Sequence, residues 1–483
     1  MNKLYNAMSN LGTTENGALT HTSSGNAVLD LFSMGGALRS RSNDEVYTML
    51  DKAFNEDPIL ATRCLFYLRD ARGGQGERKL FNLGLAYLEN RQKEIAEKVY
   101  GLVPEYGRWD DLYAFTSSNM KKLVYTLMNK TLLSDAQKMK EGKSISLLAK
   151  WMGSINASSA DSRRQALEFC RFANMTKKDY RKTLSMLRKY LEVTETYMSS
   201  KNWGNIDYEK VPSVASLKHR NAFIKNDKER YENFIKQVNK GEKKINASVV
   251  YPSDIVKSLV IRGGDETLEA LWKNLPNYIE GEEQALVVCD TSGSMSSTIL
   301  ETQPIFVAMA LTLYFAERNK GDWKDHFITF SDSPVLQKIQ GTTLYEKIQN
   351  LDSADWGMST DLNKVFKLIL DRAKASNLDQ KDMPSKVFIV SDMEFNSCGG
   401  NKTNYEAIKQ MYKDAGYKVP TIVFWNVNSM QNNSPVTMND NGVVLVSGYS
   451  PSIFKNLLGN KDMSPMSIML EVLNGDRYKD ILA

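Results

Sequence analysis

Apolar residues recur at three- and four-residue spacing in the segments 59–69, 79–88, 161–172, 178–198 and 227–239. That is the period of helices with one buried face. Cap-like residues precede several of them: Asp57 before Pro58, Thr176 before Lys177-Lys178-Asp179, and Ser253 before Asp254. No strand-like alternation competes between about residues 27 and 272, and no fixed-period repeat runs through it. The pattern predicts an all-α, HEAT-like helical array, solenoidal or irregular. The polar residues 1–26, rich in Ser, Thr, Asn and Gly, read as a loosely ordered arm. After Gly281 short continuous apolar runs (285–290, 326–330, 387–390, 419–425, 443–446) alternate with helical stretches (301–318, 362–373, 405–416). Strands buried on both faces and linked by helices make βαβ units, hence a doubly wound, mainly parallel sheet. The expected organisation is an arm at 1–26, a helical domain at 27–280 and an α/β domain at 281–483.

The 483 residues exceed one ordinary core, which agrees with a multidomain α and α/β chain. With 42% hydrophobic and 25% charged residues the composition is that of a globular protein. The opening residues hold no basic segment followed by an apolar run, so no secretory signal is expected. No stretch approaches the ~18 uncharged apolar residues of a membrane helix. Cys64, Cys170, Cys289 and Cys398 are scattered without a C-x-x-C pair and read as reduced thiols. Three histidines, none beside a cysteine pair, make structural zinc a poor fit. A cytoplasmic location follows, or a virion-associated one for a viral source. Charge is asymmetric: residues 1–280 carry 43 Lys and Arg against 33 Asp and Glu, residues 281–483 carry 19 against 24. An anionic partner is expected for the first part and cations for the second.

The richest motif is Val287-Val288-Cys289-Asp290-Thr291-Ser292-Gly293-Ser294. An apolar strand ends in an aspartate, and hydroxyls follow at alternate positions. Mg²⁺ takes about six oxygens near ~2.1 Å and keeps several waters, so one or two carboxylates with neutral oxygens suit it. Asp290, Ser292 and Ser294 form a first loop. Trp356-Gly357-Met358-Ser359-Thr360-Asp361 forms a second, in which Thr360 offers a hydroxyl and Ser359 competes with it. Val390-Ser391-Asp392-Met393-Glu394 forms a third, in which Asp392 binds directly or through water. Polar groups at such places also serve as plain helix and turn caps. No G-x-S-x-G elbow surrounds Ser292, and His326 opens an interior strand, so catalysis is not expected.

Two basic segments stand out. In 67–79, Gly73, Gly74 and Gly76 lie among Arg69, Arg72, Arg78 and Lys79. This is either an anion cradle or a helix–helix turn with ordinary flanking charges. The second carries Lys178, Arg181, Lys182 and Arg188, followed by Lys201-Asn202-Trp203. Charge runs on helices are ordinarily solvated faces, yet residues 101–250 hold 28 basic against 16 acidic residues with Tyr and Trp interleaved. RNA grooves combine phosphate neutralisation with stacking in this way. Tyr106, Trp109, Trp151 and Trp203 are better read as core than as stacking platforms.

The Asp-x-Ser-x-Ser loop and its two partner loops resemble the metal-ion-dependent adhesion site (MIDAS) of a von Willebrand factor A (vWA) domain. A basic helical array followed by such a domain resembles the TROVE-plus-vWA architecture of Ro autoantigen-like proteins. Ser24-Gly25-Asn26-Ala27-Val28-Leu29, Val103-Pro104-Glu105-Tyr106-Gly107-Arg108-Trp109-Asp110-Asp111-Leu112, Leu148-Ala149-Lys150-Trp151 and Val446-Ser447-Gly448-Tyr449-Ser450-Pro451 resemble, more closely, an uncharacterised Ro-like family. The resemblance implies a helical ring closed by the vWA domain, RNA (single-stranded or structured) as a partner, and Mg²⁺, or Mn²⁺ or Ca²⁺, at Asp290, Ser292, Ser294, Thr360 and Asp392. The expected function is non-enzymatic RNA binding with a metal-dependent docking site. A scaffold that captures an acidic residue of a protein partner is the alternative, and a metal-dependent phosphoesterase a third reading.

Overall fold

The computed structural model describes residues 10–279, 284–296, 304–330, 333–354, 359–458 and 463–482. Its six-stranded sheet contains β3 (Ala285–Cys289), β4 (His326–Thr329), β5 (Leu336–Lys338), β6 (Lys386–Ser391), β7 (Thr421–Asn426) and β8 (Val443–Ser447), after a hairpin of β1 (Leu11–Thr13) and β2 (Leu19–His21). The order is β5-β4-β3-β6-β7-β8, parallel throughout except for the antiparallel edge pair β4/β5. Every residue of β3, β6 and β8 is buried, as continuous apolar runs require. The edge strand β5 escapes sequence reading because Leu336-Gln337-Lys338 is half exposed and carries no apolar run.

One face of the sheet packs on helices Leu362–Ala375 and Asn404–Asp414. Val365, Phe366, Ile408 and Tyr412 meet Val387, Ile389, Ile422 and Phe424 there. The other face takes helix Pro304–Arg318, buried nearly all round, with the Phe315 ring tilted against Phe388 at 4.8 Å between centroids. That single helix covers β3 and β6. Helix Pro465–Leu473 touches β8 and Phe454 meets Trp425 of β7 (4.9 Å), and helix Ala27–Met34, far away in sequence, completes the cover of β7 and β8. Ser447 fixes the contact: its hydroxyl donates to Phe32 O (3.0 Å) and accepts from Gly36 N–H (3.0 Å). A Cβ on Gly36 would lie 2.6 Å from Gly448 Cα, so only glycine fits.

Compactness therefore divides the chain elsewhere than at residue 280. One unit joins residues 10–80 to 247–481, and the other comprises 81–246. The physical reason is that a parallel sheet needs both faces covered, and residues 284–481 do not supply enough helices for one of them. Residues 10–26 are likewise no loose arm. β1 and β2 pair in register, His21 bridges Ser434, and the Thr20 hydroxyl donates to Ser434 O (2.9 Å).

The second unit is helical, with Ser118–Lys140, Ala160–Phe172, Lys177–Tyr190, Ser213–Asn226 and Lys228–Asn239 its longer helices. Tyr125, Phe169 and Tyr180 form one aromatic cluster, and Tyr208, Phe223, Tyr231 and Phe234 another. Two helices replace the single one expected over 178–198. Glu192 takes φ +50°, and Val193 N–H returns to Arg188 O (3.2 Å), which closes the first helix at Tyr190.

Candidate functional site

From β3 the chain winds to β4 on one side, and β6 lies on the other, so the order of winding reverses between the parallel strands β3 and β6. A crevice opens at such a switch point beyond the carboxyl ends of the strands. Asp290 follows β3 and Asp392 follows β6, and register places them side by side: Asp290 N–H donates to Val390 O (3.0 Å). The Asp290 carboxylate accepts from Ser292 N–H (2.9 Å) and from the Ser391 hydroxyl. The Ser292 and Ser294 hydroxyls stand 3.1 Å apart. Asp361 caps helix Leu362–Ala375 by accepting from Lys364 N–H (3.0 Å), which sets Thr360 at the helix entrance. The Thr360 hydroxyl reaches Glu394 O (2.8 Å) and Asn396 Oδ1 (2.9 Å), so the second loop docks on the third. Ser359, its competitor, accepts from Asn396 Nδ2 (3.0 Å). Trp356, Gly357 and Met358 lie outside the described residues.

Asp290 and Asp392 are fully buried, 0% and 2% exposed. Burial raises both carboxyl pKa values, and the Asp290 charge raises that of Asp392 further. Ser294 is the hydroxyl that favours the charge on Asp392, yet Asp392 Oδ2 keeps no hydrogen-bond partner. A buried, unpartnered carboxylate oxygen beside a second carboxylate is costly unless a cation or water meets it. Two carboxylates with hydroxyls form a hard oxygen set that suits Mg²⁺ and leaves room for its waters. The described residues contain no cluster of three or more His, Cys, Asp or Glu of the kind that forms an all-protein cage.

Several residues of this site carried no signal of their own. Ser391 and Glu394 sit in the third loop without a recognisable role. Asn16 comes from β1–β2, where its amide donates to Glu394 O (2.6 Å) and Thr360 Oγ1 (3.2 Å). A contact across 344 positions has no local signature.

The basic candidates separate into inner and outer sets. Arg69 is 4% exposed and cannot reach a polyanion. Arg188 donates to Ala149 O (2.8 Å), Met152 O (2.6 Å) and Ser154 Oγ (2.8 Å), and so clamps its own unit rather than offering its charge outward. Neither suits RNA contact. The glycine turn is not an anion cradle either: Gly74 and Gly76 N–H go to Asp70 O (both 3.1 Å) and Gln75 N–H goes to Tyr67 O (3.2 Å). A Cβ on Gly74 would sit 1.8 Å from Tyr67 O, which explains that glycine. Asp70, fully buried, accepts from Tyr478 OH (2.9 Å) and, in a bidentate pair, from Nε and Nη2 of Arg477. Arg72, Arg78 and Lys79 are exposed, with Lys79 Nζ donating to Arg39 O and Arg41 O. Lys178, Arg181 and Lys182 are exposed on helix Lys177–Tyr190.

Residues 284–477 match a domain of unknown function (DUF7788), and residues 14–94 and 156–287 match a second domain of unknown function (DUF2828). The uncharacterized protein L728 of Acanthamoeba polyphaga mimivirus is 30% identical over 514 aligned positions, covering 96% of this chain and 88% of that protein. The crystal structure of the Deinococcus radiodurans RO (RSR) protein overlaps 94% of this chain and 100% of its own at 13% identity, with a TM-score of 0.45, too loose to assign a fold by. No helix among the described residues is long and apolar enough to cross a membrane. By identity sustained over nearly its whole length, the chain belongs to the family of the mimivirus protein L728.

Proposed function

We propose that this is a non-enzymatic, Ro-like RNA-binding protein whose helical unit holds RNA and whose vWA-type domain carries a metal-dependent docking site. The observation that carries the RNA reading is charge sorted by compact unit. Residues 81–246 hold 31 Lys and Arg against 19 Asp and Glu, a net +12, while the rest of the chain is net −7. On helix Lys177–Tyr190 the apolar Tyr180, Leu184 and Leu187 face inward, which leaves Lys178, Arg181 and Lys182 on the outside. Such a face neutralises phosphates and makes binding steeply salt-dependent.

Fluorescence anisotropy of the full chain with single-stranded and structured RNA between 50 and 200 mM salt tests the reading. Lys178→Glu/Arg181→Glu/Lys182→Glu should weaken binding more than tenfold and flatten the log–log salt slope by about 2, at ~0.7 per phosphate contact on single strands. Absence of binding at low salt, or an unaltered triple variant, overturns it.

The orphaned Asp392 Oδ2 and the half-exposed Ser294 support the docking part. Asp290, Ser292, Ser294, Thr360 and Asp392 would hold Mg²⁺, whose open positions take a carboxylate or other acidic group of a partner. Should that contact be the main task, the protein is a scaffold. Partners captured by the intact chain would then be lost with EDTA and with Asp290→Ala, and a partner set indifferent to both counts against it.

A further inference from the structure

Asn16 lies at the tip of the β1–β2 hairpin, in the turn Thr14-Glu15-Asn16-Gly17. This turn is seated on the third loop of the candidate metal site. Thr14 Oγ1 donates to Phe395 O (2.7 Å), Glu15 N–H to Glu394 Oε2 (2.6 Å), and Gly17 bridges Asn396. Asn433 Nδ2 occupies the other Glu394 oxygen (2.7 Å), so this buried carboxylate serves as a socket for the turn. Thr360 Oγ1 thus has three polar neighbours: Glu394 O at 2.8 Å, Asn396 Oδ1 at 2.9 Å and Asn16 Nδ2 at 3.2 Å. A hydroxyl oxygen has one proton and two lone pairs to offer. Glu394 O and Asn396 Oδ1 compete for the one proton, and Asn16 Nδ2–H takes a lone pair that a cation would otherwise use. Asn16 is the longest of the three contacts and belongs to the exposed turn, so it is the one that can leave.

We propose that the hairpin tip gates the docking site: Asn16 and a cation compete for the lone pairs of the Thr360 hydroxyl, so loading the site with metal and an acidic partner lifts the 14–17 turn. The proposal rests on the metal-site reading above. It makes the N-terminal hairpin a built-in competitor for the surface that a partner's carboxylate would use. Two groups that compete for one oxygen are coupled in both directions. Metal therefore loosens the turn, and loss of Asn16 tightens metal.

The test uses the full chain and MnCl₂ followed by calorimetry, with amide hydrogen exchange of residues 10–21 measured with and without MgCl₂. Asn16→Ala should tighten Mn²⁺ by about fivefold or more, the low end of ordinary coupling. In the wild type Mg²⁺ should speed exchange at Glu15, Gly17 and Ala18. Asn16 is exposed, so the variant keeps its fold, and the exchange arm needs no variant at all. Equal Mn²⁺ affinities in wild type and Asn16→Ala, or slower exchange with Mg²⁺, overturn the gate and leave the metal site standing. Binding that Asp290→Ala does not abolish, or no binding at all, overturns the metal site and the gate with it.

Discussion

Arg181 and Arg188 belong to one helix, and sequence spacing alone does not tell them apart. Arg188 places its guanidinium on two carbonyls and a hydroxyl, and burial lowers its pKa. Hydrogen bonds from a charged donor contribute about 1.5–3 kcal/mol. Arg188→Ala should therefore cost about 3 kcal/mol in urea unfolding, whereas Arg181→Ala should stay within about 0.5 kcal/mol. Asp290 and Asp392 behave oppositely, since each burdens the other. In EDTA, Asp392→Asn should leave the protein as stable as wild type or more so, because it removes one of two neighbouring buried charges. Mg²⁺ at 100 times its Kd should stabilise wild type by about 2.7 kcal/mol and Asp392→Asn hardly at all, as thermal melts would show. The candidate ligand positions were legible because strand ends and hydroxyl spacing are local. Asn16, Glu394 and Asn396 were not, because their roles exist only once three distant segments meet.

At the scale of elements, the β1–β2 hairpin is the least expected feature. Three-residue strands without an apolar run leave no periodic trace, and the pairing is completed by contacts to Ser434 and the third loop. His21 gives it a pH dependence. Burial lowers the imidazole pKa below its ordinary 6.5, partly opposed by Asp440 and Glu406. The unfolded chain therefore takes up the proton first, and the contribution, complete above about pH 6.5, is lost as pH falls through the lower folded value. Hydrogen-exchange protection factors at 19–21, which divide out the intrinsic pH dependence of exchange, should fall between pH 7.5 and 5.5, and His21→Gln should flatten that response. The helices read at 59–69, 79–88, 161–172 and 227–239 were legible within a few residues, whereas Ser118–Lys140 and Ser213–Asn226 were not read. The break at Glu192 was not, since no glycine marks it and the left-handed residue is a glutamate.

For the whole molecule, the division into units sets the main expectation. A fragment of residues 281–483 loses helix Ala27–Met34 and exposes the β7–β8 face. It should bind hydrophobic dyes and lack a cooperative melt, while the full chain melts cooperatively. Gly36→Ala tests the same seam inside the intact protein. A methyl forced against Gly448 should cost about 3 kcal/mol, at the upper end of overpacking. A stable, cooperatively folded 281–483 fragment would refute this division.

The sequence by itself determined the helix-rich first part, the mainly parallel sheet, and the Asp290, Ser292, Ser294 and Asp392 positions at its strand ends. Each of these rests on a period or spacing within a few residues. Tertiary structure alone decided that residues 10–80 complete the sheet unit, that Arg69 and Arg188 are internal, and that Asn16 sits on Thr360. Those outcomes depend on which surfaces remain uncovered after the local elements form, and burial and hydrogen-bond satisfaction settle that question only over the whole chain.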